Sequence, residues 1–547
     1  MFAIANMALA ITSYVSAAAA GVASHIAYFN KGEHHLYVTL YIKLFLAAVA
    51  TGAASLHYLQ PQPWTQALPT TSQLAGTYLI GLYSSLLIYR VFLHPLCRFP
   101  GPLGARISTV WLSTQLNHNL WHKLQEYHNR YGLFVRTGSS DLSISHPKAV
   151  EAIYSASSPC TKAAWYDFTH PGIALQNMRD PAEHAARRKV WALAFSDKLL
   201  RGYEQRVRIY RQLLVEQLTG MRGQPVNATK WTNLYSFDVM GTLTFNESFG
   251  SLERGEDHWA IRLLNDTMGN IGLFVPIWLF LGLMSIPGLS NGWWRFLDFC
   301  GQKLLYRLKN KPDIPDVSSV LISHLKGTEP TPTEQMLLDG DARLIVVAGS
   351  DTTACTLACV FYELVRHPEE VEKLRAELTP YLDETEPNGE FLHSKIAGLN
   401  HLNGVISEAL RLYPPVPGAL QRKTPPEGIM IDDVFIPGNM TVSCPQYVIG
   451  RSPLCYERPD EFIPERWYKY PEMIKDKTVF APFTLGPYNC IGKPLAMLNL
   501  RTTVARMVME FDMRLAPGED GKKFLGEAQD NFVLYMGELR LVFEPRK

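Results

Sequence analysis

The sequence predicts a mostly α-helical protein with small β-sheets, preceded by an N-terminal membrane anchor. Three observations support this fold class. Apolar runs cover residues 2–29, 36–56 and 74–89. A long helix is predicted between Thr331 and His367, because apolar side chains recur there at helical spacing. Short strand-like pieces separated by turn residues lie at 428–448, which predicts a small sheet.

The N-terminal runs predict membrane spans. A bilayer core needs about 20 apolar residues in a helix, so the first two runs are credible spans and the third is borderline. Lys31 separates the first two runs, residues 57–73 carry no Lys or Arg, and Arg90, Arg98 and Arg106 follow the third. Three spans with a luminal N-terminus and a cytosolic main domain satisfy the positive-inside rule. The alternative is one true span, with the other runs lying in the membrane interface.

Three domains are predicted along the chain. Residues 1–93 form the membrane anchor, with up to three transmembrane helices. Residues 94–104, HPLCRFPGPLG, contain three prolines and two glycines and predict a stiff hinge. Residues 105–547 show no second boundary, no repeat and no low-complexity tract, so they are predicted to form one domain.

Composition narrows the class of partner. The 547-residue chain carries 52 Lys and Arg against 51 Asp and Glu. It therefore has no basic surplus, and nucleic acid is not a predicted partner. Eight cysteines are scattered without a CxxC pair, which argues against a disulfide scaffold or a structural zinc site and favours a reducing compartment.

The long helix has a defined start and a polar interruption. Thr331 and Glu334 form a capping box, with Pro332 at the first helical position. Apolar residues surround its middle, so the helix is predicted to be buried. The stretch AGSDTT, Ala348–Thr353, places side chains there that compete for backbone hydrogen bonds. Such a local conflict is expected at a functional site.

Cys490 lies in FTLGPYNCIGKPLA, directly before a predicted helix. The helix dipole and the free backbone N–H groups at a helix start favour the thiolate. A thiolate serves as nucleophile, oxidation sensor or metal ligand, and no histidine close in sequence supports a nucleophile. Gly486 and Gly492 suit a large flat ligand pressed against the backbone, such as haem with an axial thiolate. Taken alone, a buried structural cysteine is the default interpretation.

The pattern Phe483-x-x-Gly486-x-x-x-Cys490-x-Gly492 resembles the haem-binding loop of the cytochrome P-450 monooxygenases. In that family the cysteine is the axial iron ligand. The resemblance extends from about residue 90 to the C-terminus through five further motifs in the expected order: HPLCRFPGP, EHAARRKVWALAFS, AGSDTT, EALR and FIPERW.

The resemblance implies the haem ligand and the proton donors. It predicts a cytochrome P-450 fold that binds haem b, iron protoporphyrin IX, with the axial thiolate of Cys490 and with Phe483 in the binding loop. It implies that Thr352, with Asp351, delivers the protons that split the O–O bond. The alternative is that Thr352 and Thr353 only bond back to the preceding turn of the helix.

The resemblance also implies partners for the haem propionates, which need cationic or hydrogen-bonding groups. His184 lies where a tryptophan is common in the family, and Arg188 and Arg422 lie where arginines are expected. The alternative for Arg187, Arg188 and Lys189 is a solvated helix face, and at least one of the three is expected to be only that.

Two positions depart from the family pattern. Tyr488 replaces an arginine or histidine that usually contacts a propionate, and Gly450 replaces a common histidine. A phenol donates one hydrogen bond but brings no charge. The departures therefore concern haem potential and haem retention rather than the identity of the iron ligand.

Glu408 and Arg411 lie three residues apart on one helix and are predicted to pair. Arg466, in FIPERW, is predicted to join them as a second donor. If this trio is buried, removal of one member costs about 3 to 5 kcal/mol, because a charge is stranded. We interpret the trio as structural, needed to hold the cysteine loop and not for catalysis.

The predicted activity is that of a haem-thiolate monooxygenase that inserts one oxygen atom of O2 into a lipophilic small molecule. Electrons come from NADPH through NADPH-cytochrome P-450 reductase, with cytochrome b5 as an optional second donor. The motifs resemble fungal microsomal members that oxidise terpenoid, polyketide or indole-alkaloid intermediates. This resemblance implies the endoplasmic reticulum membrane, with the catalytic domain in the cytosol.

The substrate pocket is predicted from four segments by the same resemblance. They are the residues before Glu183 and the segments 271–289, 416–420 and 532–537. Segments 271–289 and 416–420 are strongly apolar, which favours a lipophilic substrate that partitions from membrane lipid.

Three other functions remain open. A haem-thiolate isomerase or dehydratase would rearrange an oxygenated substrate without a reductase, although Asp351 and Thr352 argue against it. A haem-binding membrane sensor would bind haem and turn nothing over. A hydrolase with a cysteine nucleophile would stay active without haem.

Overall fold

The protein is described by a computed structural model that covers residues 2–286, 288–310, 315–325, 328–386, 388–418 and 420–546. The predicted class, mostly α-helical with small sheets, is confirmed. The predicted domain limits stay a prediction, and the terminal residues Met1 and Lys547 lie outside the described residues.

The α-helices and strands follow one another with short connections. In chain order the helices are α1 Phe2–Ser24, α2 Val38–Leu59, α3 Trp64–Ile88, α4 Leu103–Ile107, α5 Thr109–Leu116, α6 Leu120–Tyr131, α7 Ala149–Tyr154, α8 Pro181–Ala194, α9 Asp197–Gly220, α10 Ala228–Phe245, α11 Ser251–Arg254, α12 Trp259–Ile271, α13 Ile277–Met284, α14 Asn291–Lys309, α15 Val317–Leu321, α16 Pro332–Arg366, α17 Pro368–Leu378, α18 His393–Ile396, α19 Asn400–Leu412, α20 Gln446–Gly450, α21 Lys493–Glu510 and α22 Lys522–Gly526. The strands are β1 Phe134–Arg136, β2 Asp141–Ile144, β3 Thr161–Lys162, β4 Pro225–Asn227, β5 Arg422–Lys423, β6 Ile429–Ile431, β7 Val434–Ile436, β8 Thr441–Ser443, β9 Phe511–Leu515, β10 Gln529–Asn531, β11 Val533–Tyr535 and β12 Arg540–Pro545.

The strands form small sheets. One has the order β1-β2-β8-β5-β3, another has the order β4-β12-β9, and β6-β7 and β10-β11 are two-stranded. In the antiparallel pair β3–β5, Lys162 lies directly opposite Arg422. Like charges at opposed positions destabilise a sheet, so this register calls for a compensating group.

The chain divides into two compact units. The small unit comprises Met1–Leu112, Arg136–Asp141 and Val275–Leu289, and the large unit comprises the rest. Within the small unit, His35–Leu59 and Trp64–Leu93 are long and apolar enough to cross a membrane, and little of either is buried. Helix α3 begins at Trp64, ten residues before the predicted third apolar run at 74–89. The helix is therefore longer than that run. The apolar helix α13 belongs to this unit too, and it lies against α2.

The core of the large unit is built around α16. Its first turn carries the predicted capping box of Thr331 and Glu334, in which each side chain accepts the other's backbone N–H. Helices α10, α19 and α21 pack against it. Most of α16 is buried, although Ala348 in its middle is exposed. One face of the central helix therefore borders accessible space inside the large unit.

Candidate active site

The loop before α21 holds Cys490 through backbone contacts. The Cys490 N–H donates to the carbonyl of Phe483 at 2.9 Å. Gly486 has a φ of +64°, and an added Cβ would lie 2.5 Å from the carbonyl oxygen of Tyr154. Both facts require glycine. The turn itself therefore requires Gly486, and the predicted approach of a flat ligand to this loop stays a prediction.

The Cys490 thiol is accessible, although surrounding protein is close enough that burial raises its pKa. Backbone N–H groups of Gly492 and Lys493 and the charge of Arg188 act in the opposite direction and lower that pKa. The nearest atom that an added Cβ on Gly492 would meet is Cys490 Sγ, at 3.8 Å, so the fold leaves room beside the sulfur. Burial is the larger influence, so the pKa of Cys490 stays above its usual value, while the backbone N–H groups are placed to donate to a thiolate when the accessible sulfur binds a metal.

Four basic residues converge near Tyr488, and we call them the cationic cluster: Lys162, His184, Arg188 and Arg422. Lys162 Nζ lies 5.1 Å and Arg422 Cζ 5.0 Å from the centre of the Tyr488 ring. The His184 ring lies edge-on to Tyr488, with 4.8 Å between ring centres. Arg188 donates to the carbonyl of Asn489, the residue between Tyr488 and Cys490, at 2.8 Å. The cluster thus borders the cysteine loop.

Lys162 is an unusual lysine. Its side chain is buried, and its Nζ donates to the carbonyl oxygens of Leu175 and Gln176 at 3.0 and 2.7 Å. Burial, followed by the charges of Arg422 and Arg188, lowers the pKa of Lys162 to about 6. Lysine is almost never buried without a charged partner.

Other members of the cluster show the same excess of positive charge. Burial, followed by the charge of Lys162, lowers the pKa of His184 to about 3. Arg422 is buried and donates to the Tyr166 hydroxyl at 3.0 Å, while its Nε has no hydrogen-bond partner. Among the described residues, no carboxylate forms an ion pair with Lys162, Arg188 or Arg422. Buried charges are normally paired, so the cluster calls for an anionic ligand.

These residues fit haem. Two propionates match an uncompensated group of basic side chains, and a thiolate with backbone N–H donors matches an axial iron ligand. The fit rests on the Cys490 loop and the cationic cluster, which meet in space at Tyr488 and Asn489.

Asp351 and Thr352 lie on α16 but are not bonded to each other. Thr352 Oγ1 donates to the carbonyl of Ala348 at 2.8 Å, which is the back-bond that the alternative interpretation proposed. The Asp351 carboxyl is buried and accepts a hydrogen bond from the Tyr535 hydroxyl at 2.9 Å. Burial raises the pKa of Asp351 to about 7. The acid therefore titrates near neutral pH.

Gly349 on α16 leaves space for a side chain of a neighbouring helix. An added Cβ would lie 2.5 Å from the methyl group of Met240, so the missing side chain makes room for Met240 on α10. Ala348, by contrast, is exposed. Access at the middle of α16 therefore depends on Ala348 and its neighbours and not on Gly349.

Glu408, Arg411 and Arg466 meet in one buried network. Glu408 Oε1 accepts from Arg411 at 2.7 Å and from Arg466 at 3.0 Å, and Glu408 Oε2 accepts from Arg411 at 2.9 Å and from the Trp467 indole at 2.9 Å. Arg411 also donates to the backbone carbonyl of Gly450 at 2.6 Å. The network thus fixes the segment before the cysteine loop.

The glycine at position 450 follows from this packing. An added Cβ would lie 2.5 Å from the carbonyl oxygen of Arg411. The histidine that is common in the family does not fit at this approach of α20 to α19.

The three basic residues on α8, Arg187, Arg188 and Lys189, differ in their exposure to solvent. Lys189 is exposed, as predicted for at least one of the three basic residues. Arg187 is buried instead, and it pairs with Asp341 at 2.6 Å, while the Trp191 indole donates to the same carboxyl at 2.9 Å. This pairing joins α8 to α16.

The four segments predicted to line the substrate pocket lie in different parts of the structure. Helix α13, within 271–289, has no buried residue and belongs to the small unit. Val416, Gly418 and Leu420 line a small cavity, and Ala419 between them lies outside the described residues. In the last segment, Phe532 stacks on Trp165 from the region before Glu183, with 4.7 Å between ring centres.

Sequence analysis did not identify Lys162, Tyr166 or Tyr535. Each is an isolated residue without a motif, and its partner lies far away along the chain. Lys162 stands out only because it lies opposite Arg422 in the β3–β5 pair. That pairing cannot be read from the sequence, because it depends on the strand register.

Comparison with known proteins assigns the family. A profile of the cytochrome P-450 family matches residues 100–541. A cytochrome P-450 monooxygenase, notG', from Aspergillus versicolor is 47% identical over 534 residues, covering 97% of this chain and 98% of that protein. A tryprostatin B 6-hydroxylase from Aspergillus fumigatus is 45% identical over 533 residues, covering 96% and 95% of the two chains. The chain therefore belongs to the cytochrome P-450 family, and it is a monooxygenase similar to fungal members of secondary metabolism.

Proposed function

We propose that this protein is a haem-thiolate monooxygenase that uses haem b, with Cys490 as the axial ligand. The observation that carries the proposal is the accessible Cys490 sulfur, held by backbone N–H donors beside an uncompensated cationic cluster. When bound, the haem supplies the iron at which O2 is activated with reductase-derived electrons.

We propose that the cationic cluster holds the haem propionates. Arg422 has an unpartnered Nε, and Lys162 Nζ donates only to carbonyl oxygens. Arg188 lies next to the cysteine loop. These three residues supply charge, while Tyr488 offers a hydroxyl and a ring on which two of the cations rest. Lys162 thereby replaces the charge that the family usually has at position 488.

The protons of the reaction are assigned to α16. We propose that the Asp351 carboxyl, whose pKa of about 7 lets it bind and release protons near neutral pH, supplies them. The Thr352 hydroxyl lies on the accessible side of the helix and orients the group that receives the proton. In the present arrangement that hydroxyl donates to Ala348, so it must rotate to act.

We propose that NADPH-cytochrome P-450 reductase supplies the electrons, with cytochrome b5 as an optional second donor. The apolar helices of the small unit support attachment to a membrane. The loop charges favour a cytosolic catalytic domain, as for proteins of the endoplasmic reticulum. The apolar helix α13 lies in the same unit as these helices, so it is suited to contact with membrane lipid.

The proposed substrate is a lipophilic intermediate of fungal secondary metabolism, of the terpenoid, polyketide or alkaloid class. Two relatives that are each 45% identical to this chain are named tryprostatin B 6-hydroxylases. Tryprostatin B is therefore the first compound to test, and hydroxylation is the first reaction to look for.

The experiment uses membranes that contain the full chain and the reductase. Tryprostatin B and a panel of terpenoid, polyketide and indole compounds are supplied with NADPH and heavy-isotope O2, and products are analysed by mass spectrometry. One heavy oxygen atom per product, with strict dependence on NADPH and O2, supports the proposal. Product without NADPH would identify an isomerase or dehydratase. Bound haem without turnover of any compound would favour a sensor, and activity in haem-free protein would favour a hydrolase.

A further inference from the structure

The carboxyl of Asp351 is held from outside its own helix. Asp351 is buried on α16, and the hydroxyl of Tyr535 donates to its Oδ2 at 2.9 Å. Tyr535 ends strand β11, which pairs with β10 so that Tyr535 lies opposite Gln529. The two partners are separated by 184 residues in the sequence. The acid on the central helix is thus tied to the β10–β11 hairpin.

The carboxyl is directed away from its neighbour Thr352. Consecutive residues on an α-helix point about 100° apart, because one turn contains 3.6 residues. Thr352 Oγ1 accordingly bonds to the carbonyl of Ala348, while the Asp351 carboxyl bonds to Tyr535. The orientation of this acid is therefore set by the tyrosine and not by the helix alone.

Two influences act on the charge of Asp351. Burial raises its pKa, and the hydrogen bond from Tyr535 lowers it. Tyr535 is the ionisable group that faces this carboxyl, and burial together with the charge of Asp351 raises the pKa of Tyr535. Tyr535 therefore stays protonated at neutral pH and donates to the carboxylate.

The hairpin that carries Tyr535 also contacts segments predicted to line the substrate pocket. The N–H of Leu534 donates to the carbonyl of Pro415 at 2.8 Å, next to Val416. Phe532, at the hairpin turn, stacks on Trp165. A displacement of this hairpin by a bound substrate would move the Tyr535 hydroxyl together with its neighbours.

We propose that Tyr535 is a positioning residue that holds the Asp351 carboxyl for proton delivery, so that the β10–β11 hairpin controls how efficiently NADPH oxidation yields product. The proposal rests on the proposed monooxygenase function and on the proton-delivering role of Asp351. Tyr535 acts through Asp351 and needs no contact with haem or oxygen.

The test is Tyr535→Phe in the full chain with reductase, which removes the hydroxyl and keeps the ring. Product formed per NADPH is measured between about pH 6 and about pH 9, around the range in which this carboxyl titrates. We expect an intact reduced-CO band and a coupling ratio at least about threefold lower, because the acid is no longer oriented. One lost hydrogen bond corresponds to about one unit in the pKa of Asp351, so we expect the loss of coupling at high pH to begin about one unit higher.

Tyr413→Phe is the matched control. The Tyr413 hydroxyl donates to Glu363 at 2.6 Å, and this tyrosine–carboxyl pair is likewise buried and likewise joins α16. Glu363 lies twelve residues beyond Asp351, about 18 Å along the helix. Tyr413→Phe is expected to change stability but neither the coupling ratio nor its pH dependence.

The outcomes separate this inference from the function on which it rests. In the Asp351→Asn background, Tyr535→Phe is expected to have no further effect. An unchanged coupling ratio and pH profile in Tyr535→Phe, with a clear effect of Asp351→Asn, would overturn the positioning role alone. No effect of Asp351→Asn would overturn both roles. If Tyr535→Phe does not bind haem, Tyr535→3-fluorotyrosine keeps the hydroxyl in place and makes it a stronger donor, so the loss of coupling must begin at lower pH, and an unchanged pH profile would contradict the inference.

Discussion

Replacing Lys162 with methionine removes one cation from the cluster around Tyr488 while keeping a side chain of similar length. If a propionate pairs with Lys162, the variant leaves that propionate with Arg422 and Arg188 alone. Loss of one partner of a buried charge pair costs about 2 to 5 kcal/mol. We expect a cost near the lower end of this range, because Arg422 and Arg188 still neutralise the propionate. About 2 kcal/mol corresponds to about 30-fold weaker haem binding.

The expected effect depends on pH. Protein groups alone lower the pKa of Lys162 from 10.5 to about 6, and a propionate beside the ammonium raises it again. The contribution of Lys162 to haem affinity is therefore complete below about pH 6. This contribution is lost as pH rises through the pKa that Lys162 has in the haem-bound protein. In that pH range the haem-free protein has already released the Lys162 proton, so haem binding must take the proton up again. A Lys162 contribution of about 2 kcal/mol to the free energy of haem binding therefore declines over about 1.5 pH units, because one pKa unit equals about 1.4 kcal/mol.

The assay measures haem release from the full chain to an excess of a haem-scavenging protein, at several pH values. Lys189→Met is the control, because Lys189 is an exposed lysine on the neighbouring α8 face. We expect the ratio of release rates between Lys162→Met and wild type to be greatest near pH 6 and to approach one near pH 8. Equal release rates at every pH would refute the assignment of Lys162 to a propionate.

Three further predictions concern single side chains. Glu408→Gln leaves the buried Arg411 and Arg466 without their carboxylate, so we expect about 3 to 5 kcal/mol lower stability in thermal unfolding, whereas the exposed Glu461→Gln should unfold as wild type does. Equal unfolding of the two variants would contradict the structural role. Tyr488→Phe keeps the ring beneath Lys162 and Arg422, so we expect it to release haem more slowly than Tyr488→Leu. Faster haem release from Tyr488→Phe than from Tyr488→Leu would show that the hydroxyl matters more than the ring. Thr352→Ala should keep the reduced-CO band but lower product per NADPH, and full coupling would contradict its role in proton delivery.

Features that depend on neighbours in sequence could be predicted. The capping box and proline at the start of α16, the turn before Cys490 and the pair of Glu408 and Arg411 all involve residues within a few positions of each other. Local hydrogen bonding and helical spacing determine such features. The apolar run at 36–56 could be predicted as a possible span in the same way, because length and composition alone decide whether a helix is long enough to cross a bilayer, whereas the third helix begins ten residues before its predicted run.

Features that depend on distant partners could not be predicted. Lys162 and Tyr535 have no motif, and their roles arise from strand register and from contacts with residues hundreds of positions away. Gly450 was interpreted only as a departure from the family pattern, whereas packing against the carbonyl of Arg411 explains it, as packing against Met240 explains Gly349. The sequence contains these residues, but only the folded chain shows what each one meets.

The central claim is that the sulfur of Cys490 binds the haem iron. The most direct test is the reduced-CO difference spectrum of Cys490→Ala, prepared as the full chain in membranes beside wild type. We expect the thiolate-type absorption band in wild type and its loss in the variant, with Lys189→Met retaining it. A normal thiolate-type band in Cys490→Ala would contradict the account.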